Sequence, residues 1–177
     1  MKWATSYKWY AWLIVILFIA IISCYAFEFW AIDNTVSSED MITKACLVGA
    51  VIGLSTGYYF QRKWKPKEAV PTIRMWLTCL LVPIVFAPLV VSLINRKLSP
   101  STVVRQVEFI ESQAFYPQQK IISPEDVASG FYLFVYFDGN IERFRTNQSQ
   151  YLELNRGDII RLELHKGVFG YEYFPLY

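Results

Sequence analysis

The sequence predicts a membrane α plus β chain: three transmembrane helices followed by a small antiparallel β domain of about five strands, built as a sheet or open barrel. Three observations predict it. Hydrophobic residues make up 54% of the chain, yet its three long apolar runs all lie before residue 97. Residues 98–177 hold instead seven Lys or Arg and ten Asp or Glu. Turn dipeptides, Asp138-Gly139 foremost, punctuate β-prone runs only in that second part. A hydrocarbon layer selects long apolar helices, whereas short alternating runs between turns select strands. The chain therefore divides into a transmembrane region, 1–97, and a β-rich domain, 98–177.

The first predicted span covers 9–30. Its core, 13–26, has no charged residue, with Trp9, Tyr10 and Trp12 at one end and Phe27, Phe29 and Trp30 at the other. Amphipathic rings favour the headgroup boundary, so two aromatic groups this far apart mark two interfaces. Ile21-Ile22-Ser23-Cys24 also fits a permissive lipobox, in which Cys24 would be lipidated after cleavage. The apolar run continues beyond Cys24, and two later spans would make a lipid anchor redundant, so an uncleaved span is the expectation.

The second span covers 41–60. Ala45, Gly49, Gly53 and Gly57 recur every fourth residue and share one helix face. Small residues let another helix approach closely. That face fits packing within the chain, or a seam between copies in a homo-oligomer. The third span covers 75–94 and contains Pro83 and Pro88, which predict a kink.

Charge sets the expected orientation. Lys2, Lys8 and the cations Arg62, Lys63, Lys65, Lys67 and Arg74 face Lys44, Arg96 and Lys97 on the other side. The positive-inside rule then puts the N-terminus and the 61–74 loop in the cytoplasm, and three spans put the β domain outside. A span followed by a compact β domain resembles the plan of small bacterial envelope proteins. That resemblance is of architecture only and carries over no residue and no activity; a bacterial inner membrane is the expected location.

In the β domain, Val103–Ile110 reads as a first strand, and Ser123-Pro124-Glu125-Asp126 as the start of a short helical turn. Residues 131–137 and 140–145 flank Asp138-Gly139, the pattern of a hairpin whose turn needs positive φ twice. Gly157-Asp158 marks a second turn. Ile160, Leu162 and Leu164 alternate with Arg161, Glu163 and His165, which predicts a half-buried strand. Lys166-Gly167 predicts a two-residue turn into a last strand, 168–174. The aromatic tail, Tyr171, Tyr173, Phe174 and Tyr177, is expected in the core. With two locally defined hairpins, residues 98–177 are expected to fold alone.

Chemistry-bearing patterns are sparse. His165 stands without the companions that a triad or zinc site requires, and Glu125-Asp126 sits where helix N-termini collect acids. Asn147-Gln148-Ser149 is a glycosylation sequon only in a secretory setting, and Arg156-Gly157-Asp158 is ordinary turn chemistry. No cofactor or metal is expected. A mildly acidic domain without a basic stripe is a poor nucleic-acid binder. The expected function is non-enzymatic: a membrane-held β domain that tethers or binds an envelope component, in an accessory, assembly or immunity-type role. A subunit of an oligomeric channel or transporter is the alternative, and a membrane-bound enzyme comes third.

Overall fold

The computed structural model describes residues 6–65, 68–98, 101–116 and 128–175. Three helices come first: α1 (Ser6–Asp33), α2 (Ser38–Trp64) and α3 (Ala69–Lys97). Five strands follow: β1 (Ser101–Phe115), β2 (Gly130–Phe137), β3 (Asn140–Thr146), β4 (Ile159–Lys166) and β5 (Glu172–Tyr173). A 3-10 helix, Ser149–Glu153, precedes β4. The expected turn at Ser123 and the tail residue Tyr177 lie outside the described residues.

α2 and α3 are long and apolar enough to cross a membrane. Their 27 and 29 residues correspond to about 40 Å at 1.5 Å per residue. They pack antiparallel, and the small-residue face of α2 makes the contact. A Cβ on Gly49 would lie 2.6 Å from the Pro83 carbonyl oxygen, one on Gly53 2.6 Å from that of Cys79, and one on Gly57 2.7 Å from the Trp76 ring. Ala45 is buried in the same row.

The prolines explain the fit. Each removes the N–H that would bond the carbonyl four residues earlier, which frees Cys79 and Ile84. Gly53 lies against the Cys79 carbonyl, and the Cys46 thiol donates to the Ile84 carbonyl at 3.8 Å. α3 stays one continuous helix through both prolines because α2 supplies these contacts.

A large side chain at Gly53 cannot enter this seam, since the atoms it would meet are backbone. Gly53→Leu is expected to lower stability in detergent by about 1–3 kcal/mol or more, the cost of overpacking. Leu54 is half exposed on another face, and Leu54→Ala should change the melting temperature far less. Thermal melts of the two purified variants check this.

The five strands form one antiparallel sheet in the order β3-β2-β1-β4-β5. β1 is the bent centre. Its first half, 101–108, pairs with β4, and its second half, 108–115, pairs with β2. The register slips between Phe109 and Glu111, a β-bulge that turns the strand. The curl brings one face of every long strand inward. Leu133, Val135, Phe144, Leu162 and Leu164 are fully buried there with Val107, Phe109 and Ile160. Each such side chain contributes about 1.5–3 kcal/mol. Curling is how a single layer buries the alternate residues of 131–137, leaving Tyr136 outside.

At the β2–β3 hairpin, Asp138 has φ 44° and Gly139 φ 92°. Phe137 pairs with Asn140, so the turn is the two-residue type that sheet twist favours. Gly157 also has positive φ, and the Asp158 carboxylate accepts the Asn155 N–H at 2.8 Å.

Two expectations are corrected here. The turn after β4 is not the Lys166-Gly167 dipeptide. It runs through Gly170, where φ is 86°, and β5 keeps only two residues. The cause is Asn95 of α3. Its side-chain oxygen accepts the Phe169 N–H, and its amide donates to the Tyr171 carbonyl. The aromatic tail is also divided. Phe174 is core and packs on Phe144, while Tyr171 donates its hydroxyl to Asp40 and Tyr173 to the Arg96 carbonyl. Sheet and helices thus share these tail residues.

Candidate functional site

The polar chemistry of the chain concentrates where the sheet meets the helices. The outer strands of the sheet are β3 and β5. The short α1–α2 connection stands between them. Thr35 forms an antiparallel bridge with Tyr173. The Val36 N–H donates to the Glu172 carbonyl at 2.8 Å, and the Phe174 N–H to the Asn34 carbonyl at 2.9 Å. Toward β3, Asn34 uses its side chain. Its amide donates to the Arg145 carbonyl at 2.9 Å and its oxygen accepts the Arg145 N–H at 2.8 Å.

An amide side chain carries the donor and acceptor of a peptide unit, so Asn34 completes the ladder as a sixth strand would. It is fully buried, and Val36 belongs to the apolar core. The sheet is therefore completed by residues far outside 98–177.

A second contact joins α1 to α3. Glu28 is 3% exposed. It accepts the Arg96 guanidinium through both oxygens and the Ser92 hydroxyl at 2.7 Å. A charge this buried requires such a partner set. Tyr25 of α1 also donates to the Val85 carbonyl. Contacts thus advance along α1 and α3 together, so these helices run parallel. Residue 33, residue 38 and residue 97 consequently share one end of the bundle, and Trp64 and Ala69 lie at the other.

The third contact is a circuit of rings and cations. The Arg145 guanidinium lies 3.7 Å from the Trp30 ring centre and 4.2 Å from that of Phe115. Phe115 packs on Tyr132 at 4.9 Å, and Arg143 lies 5.0 Å over Tyr132. Arg143 then returns to α1, where one guanidinium nitrogen donates to both Asp33 carboxylate oxygens, at 2.6 and 2.9 Å. Stacked guanidinium groups add attraction from the ring quadrupoles. The outer face of β1, β2 and β3 is thereby fastened to the last turn of α1.

Smaller contacts complete the junction. The Ser37 N–H donates to Glu142 at 3.1 Å. Burial pushes the Glu142 carboxyl above its ordinary range, against that hydrogen bond and with help from Glu39. Burial and the Asp40 carboxylate likewise raise the Tyr171 phenol. Arg105 bonds the buried Glu172 at 2.6 and 3.0 Å, and that carboxylate raises the guanidinium. A cleft of about 420 Å³ beside Glu142 is lined by Ser37, Ser38, Glu39, Asp40, Asn140 and Ile141. Among the described residues, no three His, Cys, Asp or Glu side chains gather as a metal site.

Of the residues singled out from sequence, Ala45, Gly49, Gly53 and Gly57 lie in the α2–α3 contact of the same chain. Asp138, Gly139, Gly157 and Asp158 shape turns. Gly167 reaches it, since a Cβ there would lie 2.0 Å from the Asn95 carbonyl oxygen. His165 is half-buried beside Tyr173, its ring 5.6 Å away. Cys24, Cys46 and Cys79 are free thiols.

Sequence reasoning missed Glu28, Asn34, Asn95, Arg96 and Arg145. Glu28 and Arg96 carried a signal, because opposite charges end two spans at the same predicted boundary. No local pattern marks Asn34. No protein-family model matches this chain, and neither the curated proteins nor the solved structures give a match.

Proposed function

We propose that this chain is a non-enzymatic membrane protein that holds a β domain rigidly at the bilayer surface for a protein partner. In this reading all three helices span, the N-terminus and the 61–74 loop are cytoplasmic, and the domain stands outside a bacterial inner membrane. The observation that carries the reading is the junction itself. The α1–α2 connection is part of the sheet, Arg145 and Arg143 fasten the sheet to α1, and Glu28 with Arg96 clamps α1 to α3. A domain on a loose tether samples many orientations, whereas this one presents a single face at a fixed height, which lowers the ordering cost of binding.

The glycine face of α2 is occupied by α3 within the chain, so it is not a free seam for a channel-forming oligomer.

β1 offers the partner a place. Among the described residues, no strand lies along the second side of Ser101–Val107, where Thr102, Val104 and Gln106 are exposed. An extended segment could add there by main-chain hydrogen bonds. A photo-crosslinking residue placed at Val104 or Gln106 in cells should give a discrete adduct. One at Gln150, on the 3-10 helix, should not. Adducts at Gln150 alone would contradict this use of β1.

A further inference from the structure

One face of the domain has the chemistry of a bilayer interface. The outward residues of the β2–β3 hairpin are Tyr132, Phe134 and Tyr136 paired with Arg145, Arg143 and Ile141. Tyr136 is 48% and Ile141 65% exposed. This face lies against the last turn of α1, because Arg145 stacks on Trp30 and Arg143 pairs with Asp33. It also reaches the start of α2, since Ile141 lines the cleft shared with Ser38. The hairpin therefore lies along the end of the bundle, level with the rings Phe27, Phe29 and Trp30 that close the first span. Trp30 itself is 38% exposed.

Charge sharpens the assignment. Arg143 is neutralised by Asp33. Arg145 forms no ion pair among the described residues, and it sits between two rings rather than beside a carboxylate. A stacked guanidinium keeps its in-plane N–H edge, and that edge matches a phosphate.

Resting on the membrane reading above, we infer that the outer face of the β2–β3 hairpin lies in the headgroup layer of the same bilayer. Tyr136 and Ile141 enter the interface there, and Arg145 takes a phospholipid phosphate. Aromatic and aliphatic side chains flanking a cation are the residue set that a headgroup layer stabilises. The surface would fix the tilt of the domain as the junction fixes its height.

Depth measurement tests this on the full chain. With the native cysteines replaced by alanine, single nitroxide labels are placed by Ile141→Cys, by Arg156→Cys on the turn before β4, and by Val51→Cys in α2. The protein is reconstituted in phosphatidylcholine and phosphatidylglycerol vesicles. The label at 51 should report hydrocarbon. The label at 141 should collide several-fold less with a water-soluble nickel chelate than the label at 156, and more with oxygen. Arg145→Gln should raise nickel access at 141 several-fold and leave 51 unchanged, while Arg145→Lys should largely keep the headgroup position. Full nickel access at 141 with 51 in hydrocarbon would overturn the inference and leave the membrane reading standing. Nickel access at 51 as well would overturn both.

Discussion

Glu28→Ala is expected to lower the stability of the junction by about 3–5 kcal/mol, the usual cost of leaving a buried charge without its partner. The residue stranded is Arg96, whose side chain is 27% exposed. Ser92 would lose its acceptor too, and the lost bond is followed by desolvation without compensation. The carbonyl of Arg96 receives Tyr173, so displacement of this turn of α3 should loosen β5. A thermal melt followed by near-ultraviolet circular dichroism in mild detergent measures the effect. Glu28→Gln combined with Arg96→Met should recover part of the loss, because it removes the stranded charge and leaves Ser92 an acceptor. A single substitution without effect would mean that the pair does not hold α1 to α3.

The second large effect concerns Asn34. Asn34→Ala leaves the N–H and carbonyl of Arg145 without partners in a part-buried place, each costing about 1 kcal/mol or more. The sheet edges β3 and β5 should then open, and the amides of Val36 and Phe174 should lose protection from hydrogen exchange before the β1–β4 ladder does. Residues 98–177 alone carry the same defect more severely. They lack Asn34, Thr35 and Val36, and they expose both edges together with the Trp30-facing rings. The fragment should be aggregated or molten, with poorly dispersed amide signals, in contrast to the independent folding that the hairpin pattern suggests. Full protection at Val36 and Phe174 in the Asn34→Ala chain would show that the sheet closes without the connection.

These two effects also mark how far the sequence could be read. The helices, the first four strands of the β domain and the Asp138-Gly139 turn were legible because each depends on local patterns: apolar length, period-two alternation and a dipeptide that tolerates positive φ. β1 was longer than Val103–Ile110 suggested, since its bulge beyond Phe109 lets it change partners. The strand order was not legible, because pairing of β1 with both β2 and β4 is a long-range event. The junction was not legible for the same reason. Asn34 looks like any loop asparagine until the sheet curls around it. Gly167 looked like a hairpin turn, and only the proximity of Asn95 turns it into a wider loop. Polar residues at span ends were read one loop at a time as charge, although Glu28 and Arg96 form one pair across two helices.

The most direct measurement is the sidedness of three sites in one membrane. In a cysteine-free chain, single cysteines at Ser38, at Asn155 and at Lys63 are treated in intact cells with a membrane-impermeant maleimide. The junction requires Ser38 and Asn155 to share a side, since the α1–α2 connection is part of the sheet. The charge distribution requires Lys63 to lie opposite. Labelling of Ser38→Cys and Asn155→Cys in intact cells, with Lys63→Cys labelled only after permeabilisation, is the expected result. Labelling that separates Ser38 from Asn155, or that joins Lys63 to them, would contradict it.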